Sequence, residues 1–356
     1  IRYICLAAAT ERGGAAVFHP NPFHAMKRIT WILVSLVAAV GTACGPSGPV
    51  KAPSSGRAYE LFVVAPTELW EGPAGDTVRA IFSQEVERIN QPEPLFDLLS
   101  VPPTNFQKTV SRHRNILILR TGAQYERSDM TAAYDVYSAP QLQVTVTSPS
   151  ADSMAAFLHT YGQELELFYE IVERNRFIAQ ARKHSDPEIG TLIREKFGFE
   201  MSIPSNYRVR LDTTDFLWVS YELPLASIGF LIYTYPADSI VTDATTGWLV
   251  AARNGAVRQV PGPSKGSYMS TSTIVPPDRK LLTIDGRQWT QLRGFWDVKG
   301  DFMGGPFINY TTYDGATGRL IAIDGYVYSP SPNNQVPMRN YIRQVEAIFR
   351  TVRIPE

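Results

Sequence analysis

Apolar positions along the chain change period repeatedly, and those changes predict its elements. YELFVVA, from Tyr59 to Ala65, is short and largely apolar, as a strand requires. DTVRAIFSQEVERI, from Asp76 to Ile89, puts Val78, Ile81, Phe82, Val86 and Ile89 at helical spacing behind an aspartate suited to capping a helix. PLFDLLSV and NILILR return to strand patterns, with a short helix expected over NFQKTVSRH between them. QLQVTVTSP, from Gln141 to Pro149, alternates and is rich in β-branched residues, so it reads as a strand. It leads into the longest helical stretch, Ala151 to Lys183. There Phe157, Leu158, Tyr161, Leu165, Phe168, Ile171, Val172 and Ile178 form one apolar stripe.

Asp186-Pro187 breaks that helix and opens a second half. A short helix is predicted over Glu188 to Phe197, then strands over FEMSI, YRVRL, FLWVSYE and GFLIYTYP, and a helix over Thr242 to Arg258. The loop VPGPSKG separates these from strands at SYMSTSTIV, LLTI, RQWTQLRGFWDV, FINYTTY and RLIAIDGYVY. Asp285-Gly286 and Asp314 to Gly318 sit where hairpins must reverse. NYIRQVEAIFRTV closes the chain as an amphipathic helix with Ile342, Val345, Ile348 and Phe349 inward. Runs of strands with helices at their ends predict an α+β fold, with antiparallel sheets packed against helices. Two halves of similar size emerge, 59–185 and 186–356, each ending in a helix.

The N-terminal region follows a different logic. Met26 is followed by Lys27 and Arg28, the apolar run ITWILVSLVAAV, and small residues ending at Cys44. A positive start, a short apolar run and a small-residue cleavage site are the parts of a secretory signal, here 26–43. The run is shorter than the roughly 20 residues needed to cross a bilayer. GTAC at Gly41 to Cys44 resembles the lipobox of bacterial lipoproteins, which implies that Cys44 carries the lipid; Gly41 departs from the usual leucine. Residues 1–25 precede this signal and read as a spurious upstream extension. GPSGPVKAPSSGR after Cys44 has the composition of a flexible tether, placed at 44–58.

Composition then removes several function classes. Lys plus Arg and Asp plus Glu are both 34, so the basic excess of a nucleic-acid binder is missing. Beyond Cys44 there is no cysteine, which leaves no disulfide framework and no thiol chemistry. His113, His159 and His184 lie far apart without metal-ligand spacing, and neither a metal nor a cofactor is expected. GPSKG at Gly262 to Gly266 spells the G-x-S-x-G of serine hydrolases. Prolines flank it, however, a strand follows, and no histidine lies downstream to activate Ser264.

The loop VPGPSKGSYMST, the segment LRGFWDVKGDFMGGPF, DGYVYSP at Asp324 to Pro330 and the terminal RNYIRQVEAIF together resemble an uncharacterised family, domain of unknown function 4837. Its members are found mainly among envelope lipoproteins of the Bacteroidetes group. The likeness spans nearly the whole chain after the signal, with Asn340 standing where a basic residue is expected. It implies an address in the cell envelope, lipid-anchored to the membrane, and names no substrate. Since no acidic cluster follows Cys44, a periplasm-facing position is expected.

LRGFWDVKGDFMGGPF concentrates the candidate chemistry. One reading makes it a non-enzymatic binding or structural surface for an envelope protein, lipid or glycan, with Arg293, Trp296 and Tyr326 in contact and Met303 and Phe307 behind them. On a strand, Arg293 and Trp296 would face opposite sides unless the hairpin curls. The other reading is an envelope hydrolase using paired carboxylates, Asp297 and Asp301, with Arg253 beside them. The glycines are expected to serve reversals at Val298 to Gly300 and Gly304 to Pro306. Arg293, Trp296, Asp297 and Asp301 remain as the candidate site.

Overall fold

The computed structural model describes residues 16–18, 51–107, 110–236, 245–330 and 337–355. Cys44 and the signal lie outside the described residues, as does all of the upstream segment except 16–18. The fold is α+β, and the described residues fall into two compact units, those within 1–81 and 98–165 and those within 82–97 and 166–356.

The first unit holds a six-stranded sheet of β1 (Ala16–Phe18), β2 (Glu60–Val64), β3 (Asp97–Val101), β4 (Asn115–Thr121), β5 (Asp129–Tyr134) and β6 (Leu142–Ser148). Their order is β1-β5-β6-β4-β2-β3. The sheet is mixed rather than antiparallel throughout, because β2, β4 and β6 run parallel. Parallel neighbours need long crossover connections. Between β2 and β4 these include α1 (Thr67–Trp70) and α2 (Pro73–Phe82).

α2 starts three residues before the expected aspartate and stops at Phe82. Residues 84–95 instead fold back on themselves, Val86 donating its amide to the Glu93 carbonyl and Leu95 to that of Gln84. Val86 and Ile89 fitted a helical period because other neighbours bury the first and partly cover the second, which periodicity cannot distinguish. The described part of the segment read as a tether, residues 51–58, is not a free linker. Ser55 donates its amide to Arg112 and Ser54 to Ala139, so residues 52–55 are tied by backbone bonds that composition does not register.

α3 (Ala151–Lys183) has the predicted length. Its most buried positions are Met154, Leu158, Gly162, Leu165, Tyr169 and Glu173, one step round from most of the expected stripe. Gly162 is buried because Ile81 of α2 lies there; a β-carbon would sit 2.1 Å from its Cδ1. Glu173 is buried because Arg176 pairs with it at 2.5 Å. Neither residue counts as apolar, so the true stripe was hidden.

The second unit is a single antiparallel sheet with helices on both faces. Its members are α4 (Pro187–Phe197), β7 (Arg208–Thr213), β8 (Phe216–Leu223), β9 (Ala226–Pro236), α5 (Thr246–Val257), β10 (Tyr268–Thr271), β11 (Asp278–Ile284), β12 (Arg287–Lys299), β13 (Gly304–Asp314), β14 (Arg319–Tyr328) and α6 (Met338–Phe349). The strand order is β10-β12-β13-β14-β9-β8-β7, with β11 beside β10 on the same edge of β12. Asp186 caps α4, accepting from the amides of Glu188 and Ile189. FEMSI makes no strand ladder; it meets the C-terminal end of the chain through paired bonds between Glu200 and Arg353, and its Ile203 carbonyl accepts from the Asp186 amide.

Alternation along the strands sorts this unit into two cores. Leu217, Val219, Phe230, Ile308, Ile323 and Val327 face α4 and α6, while Leu231, Leu292, Trp296, Phe307, Ala322 and Tyr326 face the side of α5. Because both faces are covered, β9 and β14 read as nearly continuous apolar runs. α6 approaches β14 closely at Gly325, where a β-carbon would lie 2.3 Å from Val345 Cγ1.

Charges line the side of α6 that meets α3. Arg343 reaches Glu170 at 3.4 Å and Glu346 at 3.1 Å, Arg174 reaches Glu170 at 3.0 Å, and Arg293 pairs with Glu346. Burial would raise Glu346, but Arg293 and Arg343 outweigh it and hold its carboxyl below the ordinary range. Glu166 is treated differently. Burial and then the like charge of Glu170 push it up to about 7, with Arg343 opposing. Between its ordinary value of 4.5 and 7 the folded chain holds a proton that the unfolded chain releases, so stability falls as pH rises through this window. Glu166→Gln is expected to flatten that decline and to melt above the parent at pH 8, in thermal unfolding compared at pH 5, 7 and 8. Parallel pH profiles for the two proteins would refute it.

Candidate functional site

Beyond the part of its face occupied by α5, the second sheet leaves an open cleft of about 460 Å³. The β8–β9 turn forms one wall, the loop Val260 to Pro263 another, and Trp218, Trp296, Tyr326 and Tyr328 supply the floor and sides. No residue of α5 lines it. The volume lies within the roughly 300–1,000 Å³ typical of small-molecule sites.

Strand alternation places these rings. Trp218, Ser220 and Glu222 share one face of β8, opposite Leu231, Gly229 and Ser227 of β9. Tyr326 is the cross-strand partner of Gly229, and a β-carbon there would fall 2.3 Å from the tyrosine ring. Trp296 is likewise opposite Gly305, where a β-carbon would lie 2.1 Å from the Val327 carbonyl oxygen. Bare glycines thus give the rings room to lie across the neighbouring strand. Trp296 packs edge-on to Tyr326 with centroids 5.6 Å apart and stands 6.2 Å from Tyr328.

The polar groups of the cleft are largely spent on one another. Trp218 Nε1 donates to Tyr326 Oη at 3.0 Å, and Trp296 Nε1 to the Val327 carbonyl at 3.2 Å. Ser220 and Ser227 both donate to Glu222 Oε1, at 2.7 and 3.0 Å. Burial pushes the Tyr326 phenol up to about 12, against hydrogen bonds from Trp218 and Ser227.

The four residues selected from sequence do not form one surface. Trp296 is only 2% exposed, a wall of the cleft rather than a displayed contact. Arg293 points to the opposite face and is held by Glu346 of α6. Asp297, on that same opposite face, pairs with Lys299 at 3.5 Å. Asp301 sits in the β12–β13 turn, accepting from the Phe302 amide at 2.6 Å and from Ser264 Oγ. The Ser264 hydrogen bond, followed by that of Phe302, lowers the Asp301 carboxyl below its ordinary value. The two carboxylates therefore have separate partners.

Only the first expected reversal in this segment exists, at Gly300, whose φ is +88°. Gly304 to Pro306 belong to β13, and the small size of Gly304 and Gly305 serves close approach. Of the other expected contacts, Tyr326 and Met303 line the cleft and Phe307 is buried beneath Arg253. Trp218, Glu222 and Ser227 were missed. The available signal was a tryptophan, a serine and a glutamate at period two in FLWVSYE.

Arg253 is not beside Asp297 and Asp301. It is 1% exposed and makes a two-pronged pair with Asp324, itself 0% exposed, at 2.6 and 3.1 Å. Arg253 also donates to Thr271 Oγ1 and stacks 3.6 Å from the Phe307 ring centre, while Asn309 bridges Asp324 and Tyr233. Burial raises the Asp324 carboxyl; Arg253 and Asn309 act to lower it. His113 is likewise structural, bonded to the Asn115 carbonyl and to Glu60. Among the described residues, no group of three or more His, Cys, Asp or Glu is placed to hold a metal ion, and no helix is long and apolar enough to cross a membrane. Arg253→Leu is expected to cost about 3–5 kcal/mol in urea denaturation by stranding a buried carboxylate, and the double variant with Asp324→Leu less than the sum of the two single changes. Additive losses would count against the coupling.

Comparison with known families divides the chain. Residues 54–182 match the profile described as Domain of unknown function (DUF8532), and residues 186–351 match Domain of unknown function (DUF4837). No curated protein matches the chain. The likeness expected across nearly the whole chain is thus confined to its second half, where three of the four stretches that carry it line the cleft. Residues 186–351 belong to the DUF4837 family.

Proposed function

We propose that this protein is a lipid-anchored component of the cell envelope, facing the periplasm, whose second unit binds a small amphiphilic ligand. The cleft carries the binding reading. Its lining is mostly aromatic and aliphatic, and most of the few polar groups in it are already paired, which favours a ligand with a large apolar body over a sugar chain needing many hydrogen bonds. Separate partners for Asp297 and Asp301 favour binding over hydrolysis. Supporting the anchor are Lys27 and Arg28, the apolar run behind them, and Cys44 in a lipobox-like setting.

Nile red, a neutral dye that brightens in apolar surroundings, tests the cleft. The purified protein is expected to enhance its emission, and Met303→Trp, which enlarges a half-buried wall residue, to weaken binding at least five-fold at unchanged melting temperature. Equal titrations for both proteins would sink the reading. The anchor is tested by labelling cells with radioactive palmitate: the parent chain should take up label and Cys44→Ala should not. Equal labelling would mean that Cys44 is not acylated.

A further inference from the structure

The charge pattern of the cleft narrows its ligand further. Among the described residues no lysine or arginine lines it, and Glu222 is its single charged group. The indole N–H groups of Trp218 and Trp296 and the hydroxyls of Ser220 and Ser227 are already donated within the protein. Both serines use the same carboxylate oxygen, Oε1, and among the described residues no group bonds Oε2. What the cleft offers a newcomer is therefore chiefly an apolar wall and one negatively charged acceptor. An anionic head would meet that charge with no cationic side chain among the described lining residues to offset it, and a neutral head would gain a hydrogen bond without the charge. A cationic head gains both the hydrogen bond and the charge, and charge-assisted bonds are roughly twice as strong as neutral ones.

Resting on the proposed use of the cleft, we infer that it selects an ammonium-bearing amphiphile, with its alkyl or aromatic body against Trp296 and Tyr328 and its head at the Glu222 carboxylate. Arg210 makes this reading specific. Its Nη2 lies 3.7 Å from Glu222 Oε1, too far for a hydrogen bond but near enough to offset part of the carboxylate's charge, while its Nε donates to Ser220. Both side chains are partly exposed, so the pair is screened and open to competition. A bound ammonium competes with Arg210 for the same carboxylate. Removing the carboxylate and removing the arginine therefore have opposite effects.

Calorimetric titration of the purified full-length chain with hexylammonium, hexanol and hexanoate tests this at constant chain length and low ionic strength. Hexylammonium is expected to bind at least ten-fold more tightly than the other two. Glu222→Gln should abolish that preference, and Arg210→Gln should widen it several-fold. Equal affinities for hexylammonium and hexanol in the parent chain would overturn the ammonium inference and leave the cleft reading standing. Failure of all three to bind, or binding that Met303→Trp leaves untouched, would overturn the cleft reading and this inference with it. Should Glu222→Gln not fold, Arg210→Gln still decides: no gain in hexylammonium affinity counts against the inference.

Discussion

The second unit depends on a salt bridge that water does not reach. Arg253, from the middle of α5, is fixed by Asp324 of β14, Thr271 of β10 and the face of Phe307 on β13. Asn309 extends the network to Tyr233 of β9. Taking two charges out of water is unfavourable by several kcal/mol per ion unless every donor and acceptor finds a partner. Here the two-pronged geometry and the neighbouring amide and hydroxyl groups supply them, and the requirement fixes where α5 can lie. With α5 held over the stretch of sheet around Asp324, the strand ends carrying Tyr326 and Tyr328 remain uncovered. The cleft is the consequence.

A second constraint is the spacing between layers. A sheet covered on both faces must admit helices and large rings without voids, and small residues set how near they come. Gly325 admits α6 against β14, while Gly229 and Gly305 admit Tyr326 and Trp296 across neighbouring strands. Glycines that look turn-like in one dimension are in these cases contacts between layers. That is why a cluster dense in glycine and aromatics, which resembles a loop on paper, lies mostly in two paired strands.

Much of the fold was legible along the chain. The long helix, α4 with its aspartate cap, α6 with Ile342, Val345, Ile348 and Phe349 buried, and the hairpin at Asp285-Gly286 all follow from local period and turn chemistry. Failures came where a long-range partner replaced the local signal. Residues 84–95 carried helical spacing but closed on themselves, β5 was not recognised at all, and FEMSI alternated correctly without acquiring a strand to pair with. At the site, Trp296, Tyr326 and Met303 were found because rings and methionine stand out in sequence. Glu222 and Ser227 were not, since a glutamate at a strand end looks like any solvated charge until the sheet puts it beside the rings.

By itself the sequence determined the α+β class, the succession of most elements, the near-neutral charge, and the likeness of the second half to its family. Those depend on local periodicity, composition and motif, which need no knowledge of distant neighbours. Only the tertiary structure decided that Arg293 and Asp297 face away from Trp296, that Arg253 belongs to Asp324, and that Trp218, Glu222 and Trp296 border one cavity. Side chains two apart on a strand share a face, but which face is buried, and by what, is set by pairings among residues far apart in the chain.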